Sequence, residues 1–216
     1  MHRLTEKLFY EDPYKREFTA KVTEMTEVGV ILDRTCFYPE GGGQEGDTGR
    51  LNGAQVKGTI EENGKVVHIL ESVSRFEPGK TVNGQIDWER RYKTMRIHSS
   101  AHIVDYFVTK YFGELPRIGS HISSTKGRLD YALEGRMDPE KLKGVEKSTN
   151  DFLSAGLPIE TREDPEHPGL RYWKCGEIVL PCGGTHVQNT EEIGGLKLKR
   201  KNIGKGKERI EIYLAQ

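Results

Sequence analysis

At 216 residues the chain is long enough for one large or two small domains with a full core. Its 33 basic side chains balance 33 acidic ones, so no bulk positive charge announces nucleic acid, and any RNA surface must be a local patch. No apolar run is long enough for a membrane span, and Met1 to Thr5 do not read as a signal peptide.

Thr5 to Pro13, with Leu8, Phe9 and Tyr10, reads as a first strand. Glu17 to Met25 alternates, Phe18, Ala20 and Val22 on one side and Thr19, Lys21 and Thr23 on the other, which is a half-buried strand. Val28 to Asp33 completes a hairpin. Residues 41–49 carry five glycines in nine positions, which costs backbone entropy and excludes regular structure. This stretch is either a strand connection or a place where backbone approaches a ligand, with Gly42, Gly43, Gln44 and Asp47 as its candidates. No Walker lysine follows it, so no nucleotide cofactor is expected. Asn63-Gly64 joins alternating runs at 54–61 and 65–70, a strong hairpin signal. Thr81 to Ile86 is a further strand. Short strands without a helix predict a small antiparallel barrel over residues 1–86. His68 reads as an ordinary strand residue and Cys36 as core.

From Asp87 the pattern turns helical. Asp87 can cap a helix running from Trp88 to Phe112, ended by Gly113. Residues 117–121, Arg-Ile-Gly-Ser-His, read as a polar loop, and a hairpin follows over 120–133. Asp138-Pro139 opens a second helix that Gly156 closes. Strands follow at 157–161, 178–180, 196–201 and 209–214. The predicted class is α+β: the barrel, then a second domain over 87–216 with an antiparallel sheet and two main helices.

His98 and His102, four apart on the first helix, project from one face. Cys182 and His186 sit on a Gly-rich turn that can bend to aim both inward. Together they make a plausible His/His/Cys/His zinc site. Four ligands would saturate the metal and three would leave it open; the expectation is an open site with His186 displaced or weakly bound. Cys36, Cys175 and Cys182 are too scattered for a disulfide framework, which fits a reducing, cytoplasmic setting. Ser99 and Ser100 lie one and two residues after His98 and read as helix packing. Trp173 and Cys175 read as structural.

Arg-Ile-His-Ser-Ser-Ala-His at 96–102 with Cys-Gly-Gly-Thr-His at 182–186 resembles the editing domain of alanyl- and threonyl-tRNA synthetases and AlaX proteins. The stretch from Phe37 to Gly49 is similar to the Gly-rich motif of alanyl-tRNA synthetase editing regions and the medium-length AlaX family. The chain is identified as a member of that family of stand-alone editing hydrolases. The resemblance implies zinc-dependent hydrolysis of Ser-tRNA(Ala), with Gly-tRNA(Ala) as a further substrate. It also implies that residues near 117–121 recognise the amino acid, with Ser120 and His121 as candidates. Alanine fits wherever serine does, so rejecting it requires a polar group aimed at the serine hydroxyl. The Gly-rich stretch is expected to border the zinc pocket, with Gln44 or Asp47 holding the loop or touching substrate. Lys197, Lys199, Arg200, Lys201, Lys205, Lys207 and Arg209 form the densest basic run, either a solvated face or a phosphate contact. The competing reading is a non-catalytic RNA-binding module with a structural zinc. A peptidase is disfavoured, because His98 is followed by Ser and not by the Glu of His-Glu-x-x-His.

Overall fold

The computed structural model describes residues 4–215. The chain divides into two compact units between Tyr92 and Lys93. The first contains β1 (Glu6–Lys7), β2 (Glu17–Met25), β3 (Gly29–Leu32), β4 (Arg34–Thr35), β5 (Gly49–Leu51), β6 (Ala54–Glu62), β7 (Lys65–Leu70) and β8 (Thr81–Ile86). Six of these pair antiparallel in a ring that closes on itself, in the order β2-β3-β7-β6-β5-β8. Alternation on β2 sends Phe18, Ala20 and Val22 inward to meet Val30, Leu32, Leu51, Val56, Val82 and Ile86. Asn63 and Gly64 join β6 to β7 with φ of +51° and +77°, the mirror-image turn that matches the twist of the strands.

The expected first strand is corrected. Only Glu6–Lys7 is extended, paired in parallel with β4, and Leu8–Tyr10 is a 3-10 turn. Leu8 and Phe9 are neighbours and both buried. A strand with one covered face buries only alternate residues, whereas a turn can bury both.

The second unit contains most of α1 (Trp88–Phe112), then β9 (Arg117–Ile122), β10 (Gly127–Ala132), α2 (Pro139–Leu153), β11 (Ile159–Glu163), β12 (Arg171–Cys175), β13 (Ile178–Pro181), β14 (Leu196–Gly204) and β15 (Lys207–Leu214). One sheet runs β14-β15-β10-β9 and a smaller one β11-β12-β13. Asp87 caps α1 by accepting from the Arg90 N–H at 3.2 Å, and Gly113 ends it at φ +79°. Asp138 caps α2 in the same way, with Pro139 at its first position. The division falls inside α1 and not before it, because the helix's first turn packs on the barrel. Trp88 stacks on Tyr92 at 5.4 Å and lies 5.6 Å from Tyr14. Among the described residues, no helix is long and apolar enough to cross a membrane.

Candidate metal centre

Residues 97–104 of α1 are all buried, an apolar and small-residue stretch that lets other elements close around it. His98 and His102 leave this stretch one turn apart, with rings 4.9 Å between centroids. The chain returns to them after β13, where Cys182 and His186 arrive. The ligand atoms of His98, His102, Cys182 and His186 all lie within 4.8 Å of one another. Cys182 Sγ is 3.6 Å from His98 Nε2 and 3.2 Å from His186 Nε2. A tetrahedral zinc, with Zn–S about 2.3 Å and Zn–N about 2.05 Å, sets sulfur and nitrogen about 3.5 Å apart. His102 Nε2 is buried with no hydrogen-bond partner, a loss that a metal bond removes. The donor set therefore fits a metal ion of the zinc type. His186 lies within the cluster, its Nε2 beside the sulfur.

Electrostatics point the same way. Burial pushes His98 down to about 4, with the Arg117 charge adding to it. Burial, then neighbouring imidazoles, push His102 and His186 well below the ordinary histidine range. All three are thus neutral at pH 7, the form that ligates. Burial raises the Cys182 thiol, against smaller opposing contributions from the Gly184 N–H and Arg117. A thiolate there needs a cation beside it.

Ser99 is the residue that sequence reasoning missed. Its Oγ stands 3.2 Å from His186 Nδ1 and accepts the Val187 N–H at 3.3 Å. Counted from His98 it points aside, but counted from His102 it is i−3 and shares that face. Ser100 bonds its own helix, donating to the Ile97 carbonyl at 2.7 Å. Trp173, on the unforeseen strand β12, packs its ring 5.0 Å from His102. Beyond the helix, Asp105 accepts from Tyr131 at 2.7 Å and pairs with Arg117 at 3.0 Å. The thiol of Cys175 is buried and raised to about 11, consistent with an inert core residue.

Residues 117–121 form strand β9 and not a loop. Ser120 is opposite Leu129, on the face that packs under α1, while His121 is opposite Arg128 on the other face. Ser120 and His121 therefore point to opposite faces of this sheet.

The Gly-rich stretch is built for turning. Gly41 and Gln44 exchange backbone bonds at 3.1 and 2.9 Å around Gly42 (φ +58°) and Gly43 (φ +84°). A Cβ on Gly42 would meet nothing within 4 Å, whereas at Gly46 it would lie 2.2 Å from the Thr59 carbonyl oxygen. Close approach here is to a neighbouring strand. Gln44 is buried. Asp47, also buried, accepts from the Tyr38 N–H at 2.7 Å and pairs with buried Arg91. Of its two expected roles, holding the loop is the one its contacts perform.

The basic run is two strands, so it splits by face. Lys197, Lys199 and Lys201 are exposed on one face of β14, while Arg200 turns to the other and pairs with fully buried Glu208 at 2.6 Å. Arg200 is thus committed to an internal ion pair. Arg209 is held by Asp130 through two bonds, at 2.6 and 2.8 Å. Lys205 and Lys207 lie exposed at the β14–β15 turn.

Residues 5–90 match the family described as tRNA synthetases class II (A), and residues 170–211 match the threonyl and alanyl tRNA synthetase second additional domain. The chain is 37% identical to the alanyl-tRNA editing protein AlaX-M of Pyrococcus horikoshii, over 99% of this chain and 100% of that protein. It is also 37% identical to the alanine–tRNA ligase of Methanococcus maripaludis and 36% identical to that of Pyrococcus furiosus. Those matches cover 96% and 95% of this chain, but the chain spans only 26% and 25% of the ligases' length.

Proposed function

The chain belongs to the family of alanyl-tRNA editing proteins, and we propose that it removes a wrong amino acid from tRNA(Ala) by hydrolysing the aminoacyl ester. Serine is the primary substrate and glycine the second. The observation that carries this reading is the four-donor cluster that α1 and the Cys-Gly-Gly-Thr-His turn bring together in the second unit. We take the metal to be zinc, one ion per chain, held by His98, His102, Cys182 and His186. When bound, zinc would supply Lewis-acid chemistry for an ester carbonyl or a fixed point for the substrate amine.

The chain's own groups supply position and selection. Ser99 fixes the His186 ring, and neutral imidazoles keep the site ready for the cation. Ser120, on the α1 side of β9, is the candidate to pair with the serine hydroxyl and so reject alanine. The Gly42-Gly43 turn enters as a recognition element with Gln44. A Gly42→Ala, Gly43→Ala protein should lose Ser-tRNA(Ala) hydrolysis, at a stability cost of roughly 2–4 kcal/mol from two strained φ angles. A reducing, cytoplasmic setting belongs to the same reading, supported by three cysteines that stand as free thiols.

A second reading has its own support: four protein donors saturate zinc, which is the pattern of a structural site. Deacylation of Ser-tRNA(Ala) and Ala-tRNA(Ala) by the purified protein separates the two. On the editing reading, serine is released and alanine retained, and Cys182→Ala lowers the serine rate by about 1,000-fold. A Cys182→Ala protein that stays folded, lacks zinc and keeps its rate would leave the metal a structural role only.

A further inference from the structure

The four-stranded sheet of the second unit segregates charge by face. On the inner face, Gly127 packs against Ile97 of α1, and Tyr131 reaches Asp105 of the same helix. Strand register then assigns the outer face. Lys199, Glu211, Arg128 and His121 form one row across β14, β15, β10 and β9. Lys201, Arg209 and Asp130 form the next. Lys197 faces Tyr213, and Lys126 reaches this side to bond Glu211 at 2.6 Å. This face holds six cations against the two carboxylates of the sheet, with Lys197 also pairing with Glu146 of α2 at 3.2 Å, in a chain whose formal net charge is zero.

We infer that this outer face is a docking surface for the phosphate backbone of the tRNA body, and that Lys126 and Arg128 of the β9–β10 hairpin belong to it with the β14 lysines. The inference rests on the editing reading for the identity of the RNA. Three observations favour phosphate as the occupant. The carboxylates are already consumed: Asp130 by Arg209, and Glu211 by Lys126 and Tyr213. Lys199 and Lys201 are exposed and enter no ion pair among the described residues, with Lys199 lying 5.0 Å over the Tyr213 ring. Arg128 is half-buried in the same row and enters no ion pair among the described residues, so its charge is not neutralised by a carboxylate partner. A sheet face with alternate cations suits backbone contact and carries no base-reading element.

The face lies across the sheet from α1, which carries His98 and His102. Its contacts must therefore fall on the body of the tRNA and not on the terminal ester. This gives a split readout. Binding of uncharged tRNA(Ala) transcript is measured by fluorescence anisotropy between 50 and 200 mM salt. For Lys199→Gln, Lys201→Gln, Arg128→Gln, the log Kd against log salt slope should fall by about 2.7, from three lost phosphate contacts. The exposed pair Lys199→Gln, Lys201→Gln should lower it by about 1.8, and serves if the Arg128 variant does not fold. A control on the outer surface of α2, Lys141→Gln, Lys143→Gln, Lys147→Gln, should leave the slope unchanged. Hydrolysis should fall in kcat/KM for full-length Ser-tRNA(Ala) and stay level for a seryl ester of a short 3′ oligonucleotide. An unchanged slope, or equal loss in the α2 control, overturns the surface. Equal loss on the short ester shows the variants act through the fold and overturns it as well. Because the anisotropy arm needs no turnover, a protein without deacylase activity would refute the editing reading and leave this inference standing or falling by its binding alone.

Discussion

The Ser99 hydroxyl stands 3.2 Å from Nδ1 of His186, whose Nε2 lies 3.2 Å from the Cys182 sulfur. If Nε2 is the ligand atom, Nδ1 carries the proton and Ser99 accepts it. The serine then fixes both tautomer and ring angle, as a carbonyl or carboxylate does behind other metal-bound imidazoles. Ser99→Ala should weaken zinc binding by about 10- to 100-fold, read by competition with a chromophoric chelator. It should cost roughly 1–3 kcal/mol of stability, since the Val187 N–H loses its acceptor. Wild-type zinc affinity in a folded Ser99→Ala protein would remove the serine from the site.

Zinc uptake should release one proton. The three imidazoles are neutral at pH 7, being held below their ordinary range by burial, so they have none to give. The Cys182 thiol is held above its ordinary value by burial and must lose its proton to ligate. Below the thiol's pKa, affinity should therefore rise about tenfold per pH unit. Calorimetry in buffers of different ionisation enthalpy counts the proton directly. A count of zero would exclude the thiolate as a ligand.

The four-donor cluster was legible because spacing carries it: four apart on a helix and four apart on a Gly turn need no tertiary knowledge. The fold class and both helices were legible from alternation, Asn-Gly, and the Asp87 and Asp138 caps. What could not be read depends on pairing. Burial alternates along β12, with Tyr172 and Lys174 half-buried and Trp173 and Cys175 covered, but the adjacent aromatics Tyr172 and Trp173 hide that alternation in the sequence. The basic run looks like one patch in sequence, and only strand alternation shows that Arg200 serves the core while Lys199 and Lys201 face out. Ser99 was missed because the angle was taken from one histidine and not from both.

His68 should make the first unit acid-labile. It is fully buried, and burial lowers it to about 4 from an ordinary 6.5. Its Nδ1 lies 3.2 Å from the Val30 carbonyl oxygen and so must donate to it, leaving Nε2 to accept from Thr35 at 2.8 Å. The folded state therefore prefers the neutral ring. Stability from this group is complete above pH 6.5, where the unfolded chain is also neutral. It is lost as pH falls toward 4, because only the unfolded chain takes up the proton, for a total of about 3 kcal/mol. Urea midpoints at pH 7 and pH 4.5 should diverge less in His68→Gln than in the parent. An identical pH slope in both proteins would mean that His68 does not titrate between folded and unfolded states.

Asp47 and Arg91 form a pair with 3% and 0% of their side chains exposed, and that burial decides what the loop does. Arg91 also donates to the Cys36 carbonyl at 2.7 Å and the Pro13 carbonyl at 3.0 Å. Asp47 in turn takes the Tyr38 N–H, and its own carbonyl accepts from Thr59 at 2.9 Å. One ion pair thus ties the Gly-rich stretch, β6 and the first turn of α1 together. Replacing the pair with apolar groups could be neutral, but removing one partner strands a charge where water cannot reach it. Asp47→Asn should therefore cost about 3–5 kcal/mol, a large share of the 5–15 kcal/mol typical of a domain. The measurement is the urea midpoint at pH 7, together with Ser-tRNA(Ala) hydrolysis normalised to folded protein. A large fall in midpoint with near-normal activity per folded molecule fits a residue that holds the loop. A normal midpoint with lost activity would instead make Asp47 a contact to substrate.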